Sequence, residues 1–257
     1  MPRKGRALPL LQLAYDRDRL PGERSQNQLE QDALLAVVEA LPEGVRPVVL
    51  ADRGFGRAGF LTWLEYRNLD YVVRLSKGTC ITEPDGRRWK LGEEGLKPGQ
   101  LRWAGGVRYG LYHGRPRELF VNVALCWRLP KSRARNPRRK QPEEPWYLAT
   151  SLKDPRSAAN WYRQRGWIEQ SFKDAKSRFG MARAQIRCPK RLSRLLMALT
   201  IALAWLSLMG LPGIGALPRR WHAAVAQRGR ASITSLALAL LDHLGNLPLS
   251  CLPRVSR

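Results

Sequence analysis

The sequence predicts a mixed α/β fold in which an antiparallel β region is set into a chain that otherwise alternates helix and strand. Three observations carry this. Over residues 6–76, short apolar runs alternate with a stretch of helical period and with turn residues. Over residues 78–152, short alternating runs such as VRYGLYHG and ELFVNVALCWRL are separated by Gly and Pro turns, which is the pattern of antiparallel strands. Residues 161–179 and 195–209 then return to helix, the first amphipathic and the second almost wholly apolar. At 257 residues the chain can bury a substantial core, and one domain of ordinary size carrying an insertion is expected.

In chain order, RALPLLQLAY at residues 6–15 reads as a largely buried strand, although a Leu-rich run of this length also suits a helix. Pro21-Gly22 marks a turn. A helix is predicted over 25–41, where Leu29, Ala33, Val37 and Ala40 fall near helical spacing and LPEG follows as a stop. The apolar run at 47–50 leads straight into ADRGFG, so a buried strand delivers Asp52 at its C-terminal end, where ligand sites in α/β sheets form. Glycines 54 and 56 let the backbone turn away from that strand and leave room beside the carboxylate. Asp52 has two readings: a catalytic carboxylate, or the N-cap of a helix over 57–67. LDYVVRLS at 69–76 is the next strand.

Within the β region, KSRARNPRRK at 131–140 carries six basic residues in ten. A run so charged is expected to be a loop, either tracking a phosphate backbone or simply solvated. Trp146 to Thr150 closes the region, and Asp154-Pro155 leads into WYRQRGWIEQSFKDAKSRF at 161–179. On one continuous helix, Tyr162, Arg165, Glu169 and Lys176 fall inside an arc of about 60°. Trp161, Ile168, Phe172, Ala175 and Phe179 form an apolar stripe beside them. The plainer explanation is the solvated face of an amphipathic helix. Downstream, Arg178, Arg183, Arg187, Lys190, Arg191 and Arg194 offer contacts to a phosphate backbone, and the apolar helix 195–209 is expected to close the core. Its uncharged run falls short of the ~18 to 20 residues that a membrane span needs. Residues 211–257 form a Pro- and Arg-rich tail around a helix at 232–244. There is no internal repeat, P-loop or dinucleotide fingerprint.

Lys and Arg number 45 against 21 Asp and Glu, a formal net charge of +24. Such an excess favours a polyanionic partner through phosphate neutralisation and counterion release. Nucleic acid leads, although RNA of the ribosomal kind or an anionic membrane surface would account for the charge equally well. The four cysteines are scattered without zinc-like spacing, so neither a disulfide framework nor a zinc site is expected. The N-terminus is basic and then apolar but is broken by Pro9 and Gln12, unlike a secretory signal, so a cytoplasmic location and no membrane partner are expected.

The spacing Y-x2-R-x3-E-x6-K of Tyr162, Arg165, Glu169 and Lys176, together with VVLADRGFGR around Asp52, resembles the signatures of one group of DDE-type transposases from bacterial insertion sequences. The resemblance implies an RNase H-like catalytic core with an antiparallel β insertion before the Glu-bearing helix. It implies that Asp52 and Glu169 are the second and third metal-binding carboxylates, with Mg²⁺ or Mn²⁺ as cofactor and two ions in an intact family member. Such ions sit about 3.5 to 4 Å apart and act on the attacking and leaving oxygens of a phosphodiester. Tyr162, Arg165 and Lys176, with Lys173 on the same helix, then hold phosphates of DNA. Trp146 either stacks on a distorted DNA base or packs in the core.

The implied activity is cleavage at a transposon end and joining of the freed 3′ hydroxyl to target DNA, by a homodimer on DNA associated with the nucleoid. The resemblance divides the chain into 1–76, a partial core with the second Asp; 77–152, the insertion; 153–210, the rest of the core; and 211–257, a basic tail. The family's first catalytic Asp is expected upstream of the 6–15 strand, so an N-terminally truncated core, inactive by itself, is expected. Two other readings stand beside it. One is a non-catalytic DNA-binding protein that occupies transposon ends and inhibits the intact enzyme. The other is a basic RNA-binding protein in which the four-residue pattern is coincidental.

Overall fold

The computed structural model describes residues 2–3, 6–16, 20, 25–112, 115–116, 119–127, 144–177 and 180–209. The turn predicted at 21–22, the basic run at 131–140, Arg178, Phe179, Cys251 and residues 211–257, with the helix predicted at 232–244, lie outside the described residues. The elements are β1 (Pro2–Arg3), β2 (Arg6–Ala7), α1 (Gln26–Glu39), β3 (Val48–Ala51), α2 (Ala58–Tyr66), β4 (Asp70–Arg74), β5 (Cys80–Thr82) and β6 (Arg88–Lys90). They continue with β7 (Leu101–Tyr109), β8 (Leu111–Tyr112), β9 (Arg115–Pro116), β10 (Phe120–Cys126), β11 (Trp146–Thr150), α3 (Pro155–Gln164), α4 (Gly166–Ser177) and α5 (Pro189–Met209). The chain divides into two compact units, Val38–Arg165 and the pair of segments Met1–Val37 and Gly166–Arg257.

The Val38–Arg165 unit is built on a seven-stranded sheet of order β3-β4-β11-β10-β7-β5-β6. Only β3 and β4 run parallel, in the register Val48↔Asp70 to Ala51↔Val73. β5, β6, β7, β10 and β11 therefore belong to the same sheet as β3 and β4, joined where β11 pairs antiparallel with β4, while β8 and β9 pair with each other in a separate two-stranded sheet. Tyr71, Val72 and Val73 of β4 are all fully buried, and because successive side chains alternate faces, both faces of this strand are covered. On one face α3 contributes Ala158 and Tyr162 to a core cluster with Val72, Ala124 and Leu148. On the other, the Tyr71 hydroxyl donates to Glu65 of α2 at 2.8 Å. Between β7 and β10 the pairing slips at Asn122, opposite Gly105 and Gly106. Gly106 takes φ +60°, open to glycine without strain, and its N–H donates to the Asn122 side chain at 3.0 Å, the mark of a β-bulge.

In the other unit, α1 opens with a reciprocal cap: Ser25 Oγ accepts from Gln28 N–H, and Gln28 Oε1 accepts from Ser25 N–H at 2.7 Å. The Ser171 hydroxyl of α4 accepts from Ala7 N–H at 3.0 Å and donates to the Ala7 carbonyl at 2.7 Å, which ties β2 to that helix. Among the described residues, Cys80, Cys126 and Cys188 are not joined in disulfides. No helix among the described residues is long and apolar enough to cross a membrane.

Three expectations are corrected. The strand predicted over 6–15 shrinks to the two residues of β2, paired with β1 outside the seven-stranded sheet. Pro9 has no N–H to give a ladder, and Leu10, Leu11 and Leu13 beyond it are exposed. The helix predicted over 161–179 is interrupted at Arg165, with Gly166, a poor helix former, at the start of α4, so the two halves fall in different units. The apolar helix is longer than expected and only partly enclosed. Leu199 and Leu203 of α5 are buried, but Met197, Ile201 and Trp205 are 62%, 63% and 49% exposed.

The entry to α3 supplies a test. Asp154 caps the helix, accepting from Ser157 N–H at 2.7 Å and Arg156 N–H at 3.3 Å, with Pro155 at the first helical position. Hydrogen bonds from Ser157, its side chain first, hold the Asp154 carboxyl below the usual carboxylate range. A folded pKa below the unfolded one means stabilisation that is present above the unfolded value, about 3.9, and is lost as pH falls through the lower folded value. Asp154→Ala is therefore expected to lower the melting temperature at pH 7, with the gap to wild type narrowing below about pH 4. A gap that stays constant down to pH 2.5 in thermal melts would contradict the cap.

Candidate functional site

The parallel register that sets Ala51 against Val73 makes the next residue of each strand, Asp52 and Arg74, neighbours at the C-terminal ends of β3 and β4. Asp52 is extended, with φ −86° and ψ −173°, and its Oδ1 accepts from Gly54 N–H at 3.0 Å. That bond caps the short 3-10 turn Arg53–Phe55. The N-cap of α2 is Arg57, without a side-chain cap bond, so Asp52 does not serve the helix that follows.

The two glycines act by leaving space, for neither adopts a positive φ. A Cβ on Gly54 would stand 3.3 Å from Asp52 Oδ1, and one on Gly56 would stand 3.1 Å from the Arg74 carbonyl oxygen and 3.2 Å from Leu75 Cδ2. The turn is thus pressed against the end of β4. It is held there by Tyr109 of β7, whose hydroxyl donates to the Gly56 carbonyl. Burial pushes the Tyr109 phenol up to about 12, so it stays a neutral donor across the physiological range.

Arg165 follows the last residue of α3, and its Nη2 lies 3.2 Å from Asp52 Oδ2. The Asp52 side chain is 48% exposed and that of Arg165 23%. Three residues earlier, Tyr162 is buried and packs edge-to-face on Trp146, ring centres 5.1 Å apart. Burial raises the Tyr162 phenol, while the charges of Arg165 and Arg74 oppose the rise and Arg74 stands within hydrogen-bonding reach of the phenol oxygen. Trp146 thus packs on the core cluster, one of its two expected roles.

Arg74 was not singled out in the sequence. Its Nη2 reaches Glu144 Oε2 at 3.4 Å, and its Nε is buried with no hydrogen-bond partner. Arg53 completes the group, 3.5 Å from the same Glu144 oxygen. No local signal in LDYVVR marks Arg74, because its closeness to Asp52 comes from the parallel register of β3 with β4. Three guanidiniums against two carboxylates leave one positive charge here, beside a protonated phenol: a set suited to an anion with several acceptor oxygens.

Of the residues singled out in the sequence, the Val38–Arg165 unit thus brings together Asp52, Tyr162 and Arg165. Glu169, Lys173 and Lys176 belong to α4 in the other unit, where all three are exposed. Asp52 offers the hard oxygen donors that a divalent cation prefers. Yet its Oδ1 carries the Gly54 N–H and its Oδ2 the Arg165 guanidinium. Among the described residues no group of three His, Cys, Asp or Glu side chains is placed to hold a metal ion. Asp52 by itself, under a guanidinium, is not a divalent-ion cage.

The packing of the turn can be tested without any ligand. Gly56→Ala must push its methyl against the Arg74 carbonyl and is expected to destabilise the fold by about 1 to 3 kcal/mol. Gly59→Ala, in α2 where nothing lies within 4 Å of an added Cβ, is expected to stabilise by about 0.5 to 1 kcal/mol. Equal responses of the two variants in chemical denaturation would refute the close approach of the turn to β4.

Residues 23–205 match a family model described as the transposase DDE domain, a span that includes Asp52, Tyr162, Arg165 and Glu169. No curated protein matches the chain.

Proposed function

Because the chain belongs to the transposase DDE-domain family, we propose that it is an insertion-sequence DNA transposase that grips a DNA phosphate at the C-terminal ends of β3 and β4. The observation that carries this reading is the convergence of Arg74, Arg165 and the protonated Tyr162 phenol beside Asp52. Guanidiniums present planar pairs of N–H donors that match phosphate oxygens, and a phenol kept neutral by burial adds a donor without a charge. Lys173 and Lys176 are proposed as further phosphate contacts on α4. Asp52 and Glu169 are proposed as carboxylates for Mg²⁺ or Mn²⁺. For Glu169 this assignment rests on the Y-x2-R-x3-E-x6-K resemblance, and for Asp52 on its place after β3. The ion would act as a Lewis acid on a phosphodiester.

A second reading, DNA binding without cleavage, is favoured by one observation, the guanidinium of Arg165 seated on Asp52. The two readings differ in what a divalent ion does. On the first, Mg²⁺ added to the protein on transposon-end DNA produces nicks, and Asp52→Ala or Glu169→Ala abolishes them. On the second, DNA is bound and stays intact.

Both share a prediction for binding itself. The affinity for a duplex should fall linearly with salt on logarithmic axes, and Arg74→Gln and Arg165→Gln should each lower the steepness by about one. A flat salt response, or slopes unchanged in both variants, would exclude a phosphate at this site.

A further inference from the structure

We propose that Arg165 is shared between two competing acceptors, the Asp52 carboxylate and a DNA phosphate, so that the ion pair latches the carboxylate until a phosphate draws the guanidinium away. The proposal rests on the phosphate reading above and adds a coupling to it. Its starting point is the misfit already described: the carboxylate best placed to receive a cation is covered on one oxygen by a guanidinium and on the other by the Gly54 N–H.

The two partners of the ion pair are unequally exposed, and this decides which can let go. The Asp52 side chain is about half open to water, which can solvate a released carboxylate oxygen. The Arg165 side chain is more than three-quarters buried, beside the core-anchored Tyr162, and a guanidinium so placed cannot exchange its anion for bulk water cheaply. It gives up one anion most readily by taking another. A phosphate is the better anion here because Arg74 can share it: its Nη2 stands 3.4 Å from Glu144, an exposed side chain that can yield its place to a phosphate oxygen. One incoming group can therefore engage both arginines, whereas Asp52 engages only Arg165.

Linkage then fixes the consequence. Whatever takes Arg165 frees Asp52 Oδ2, and whatever removes the charge of Asp52 frees Arg165 for phosphate, so release of the carboxylate and binding of DNA promote each other by the same factor. Without DNA the carboxylate is held by the guanidinium.

The coupling can be read from DNA affinity alone, in EDTA, with the full chain and a fluorescent duplex of arbitrary sequence followed by anisotropy. Asp52→Asn keeps an oxygen for the Gly54 N–H and removes the charge that holds Arg165. It should tighten duplex binding by about three- to fivefold, the scale of an ion pair of this exposure. In an Arg165→Gln background the same substitution should have almost no effect, making the cycle non-additive. If the carboxylate merely repelled phosphate, Asp52→Asn would give the same gain in both backgrounds, and that outcome overturns the latch while leaving the phosphate reading intact. No gain in either background overturns it too. A wild-type chain that fails to bind the duplex overturns the phosphate reading and the latch together. Should Arg165→Gln not fold by thermal melt, Arg165→Met, which keeps the packing of the apolar stem, supplies the second background.

Discussion

The parallel pairing of β3 with β4 is the constraint from which the site follows. Hydrogen bonds along that ladder fix Ala51 opposite Val73 and thereby bring the chain out of both strands at one place, with a carboxylate on one exit and a guanidinium on the other. Close packing does the rest. The turn after Asp52 can sit against the Arg74 carbonyl because position 56 has no side chain, and Tyr109 keeps it there from across the sheet. On the far side, α3 is registered by its capped start at Asp154 and by Tyr162, whose ring is part of the core cluster. Arg165, three residues on, inherits its position from that ring. The ion pair between Arg165 and Asp52 is therefore a consequence of core packing and not a surface contact formed by two free side chains.

This distinction matters for how charge is used. A net charge of +24 attracts nucleic acid from any direction, but exposed charges farther apart than about 8 to 10 Å are screened at physiological salt. Such a field raises the encounter rate and the general affinity without choosing a register. The group around Asp52 carries only one net positive charge, and its arginines are partly desolvated, so its interactions are screened less and depend more on geometry. General attraction and local positioning are thus separable, one set by the number of Lys and Arg and the other by a handful of buried contacts.

Much of this was legible in the sequence. β3, α2 and β4 are dense in apolar and β-branched residues with turn residues between them, and the antiparallel strands are short apolar runs set off by Gly and Pro turns, so local patterning was enough. Asp52 could be found because a strand that ends in Asp-x-Gly announces a carboxylate at a sheet edge. Arg74 could not, because its neighbour is fixed by a pairing between segments more than 20 residues apart and nothing local in LDYVVR reveals that register. Periodicity also misled at residues 161–179. Apolar and polar faces continue with the right spacing through Arg165 and Gly166, so the pattern alone could not tell one helix from two, and only the glycine hinted at a boundary. The run at 6–15 failed for the opposite reason. Its leucines suit either a strand or a helix, and a single Pro9 left most of it in neither.

Core packing sets Arg165 and Arg74 to receive a phosphate beside Asp52. A crystal structure of the chain with a short DNA duplex tests it most directly. The expected result is a backbone phosphate within hydrogen-bonding distance of both guanidiniums and of the Tyr162 hydroxyl, with Arg165 turned away from the Asp52 carboxylate. DNA seated elsewhere, with the Arg165–Asp52 ion pair unbroken and Arg74 Nε still without a partner, would contradict it.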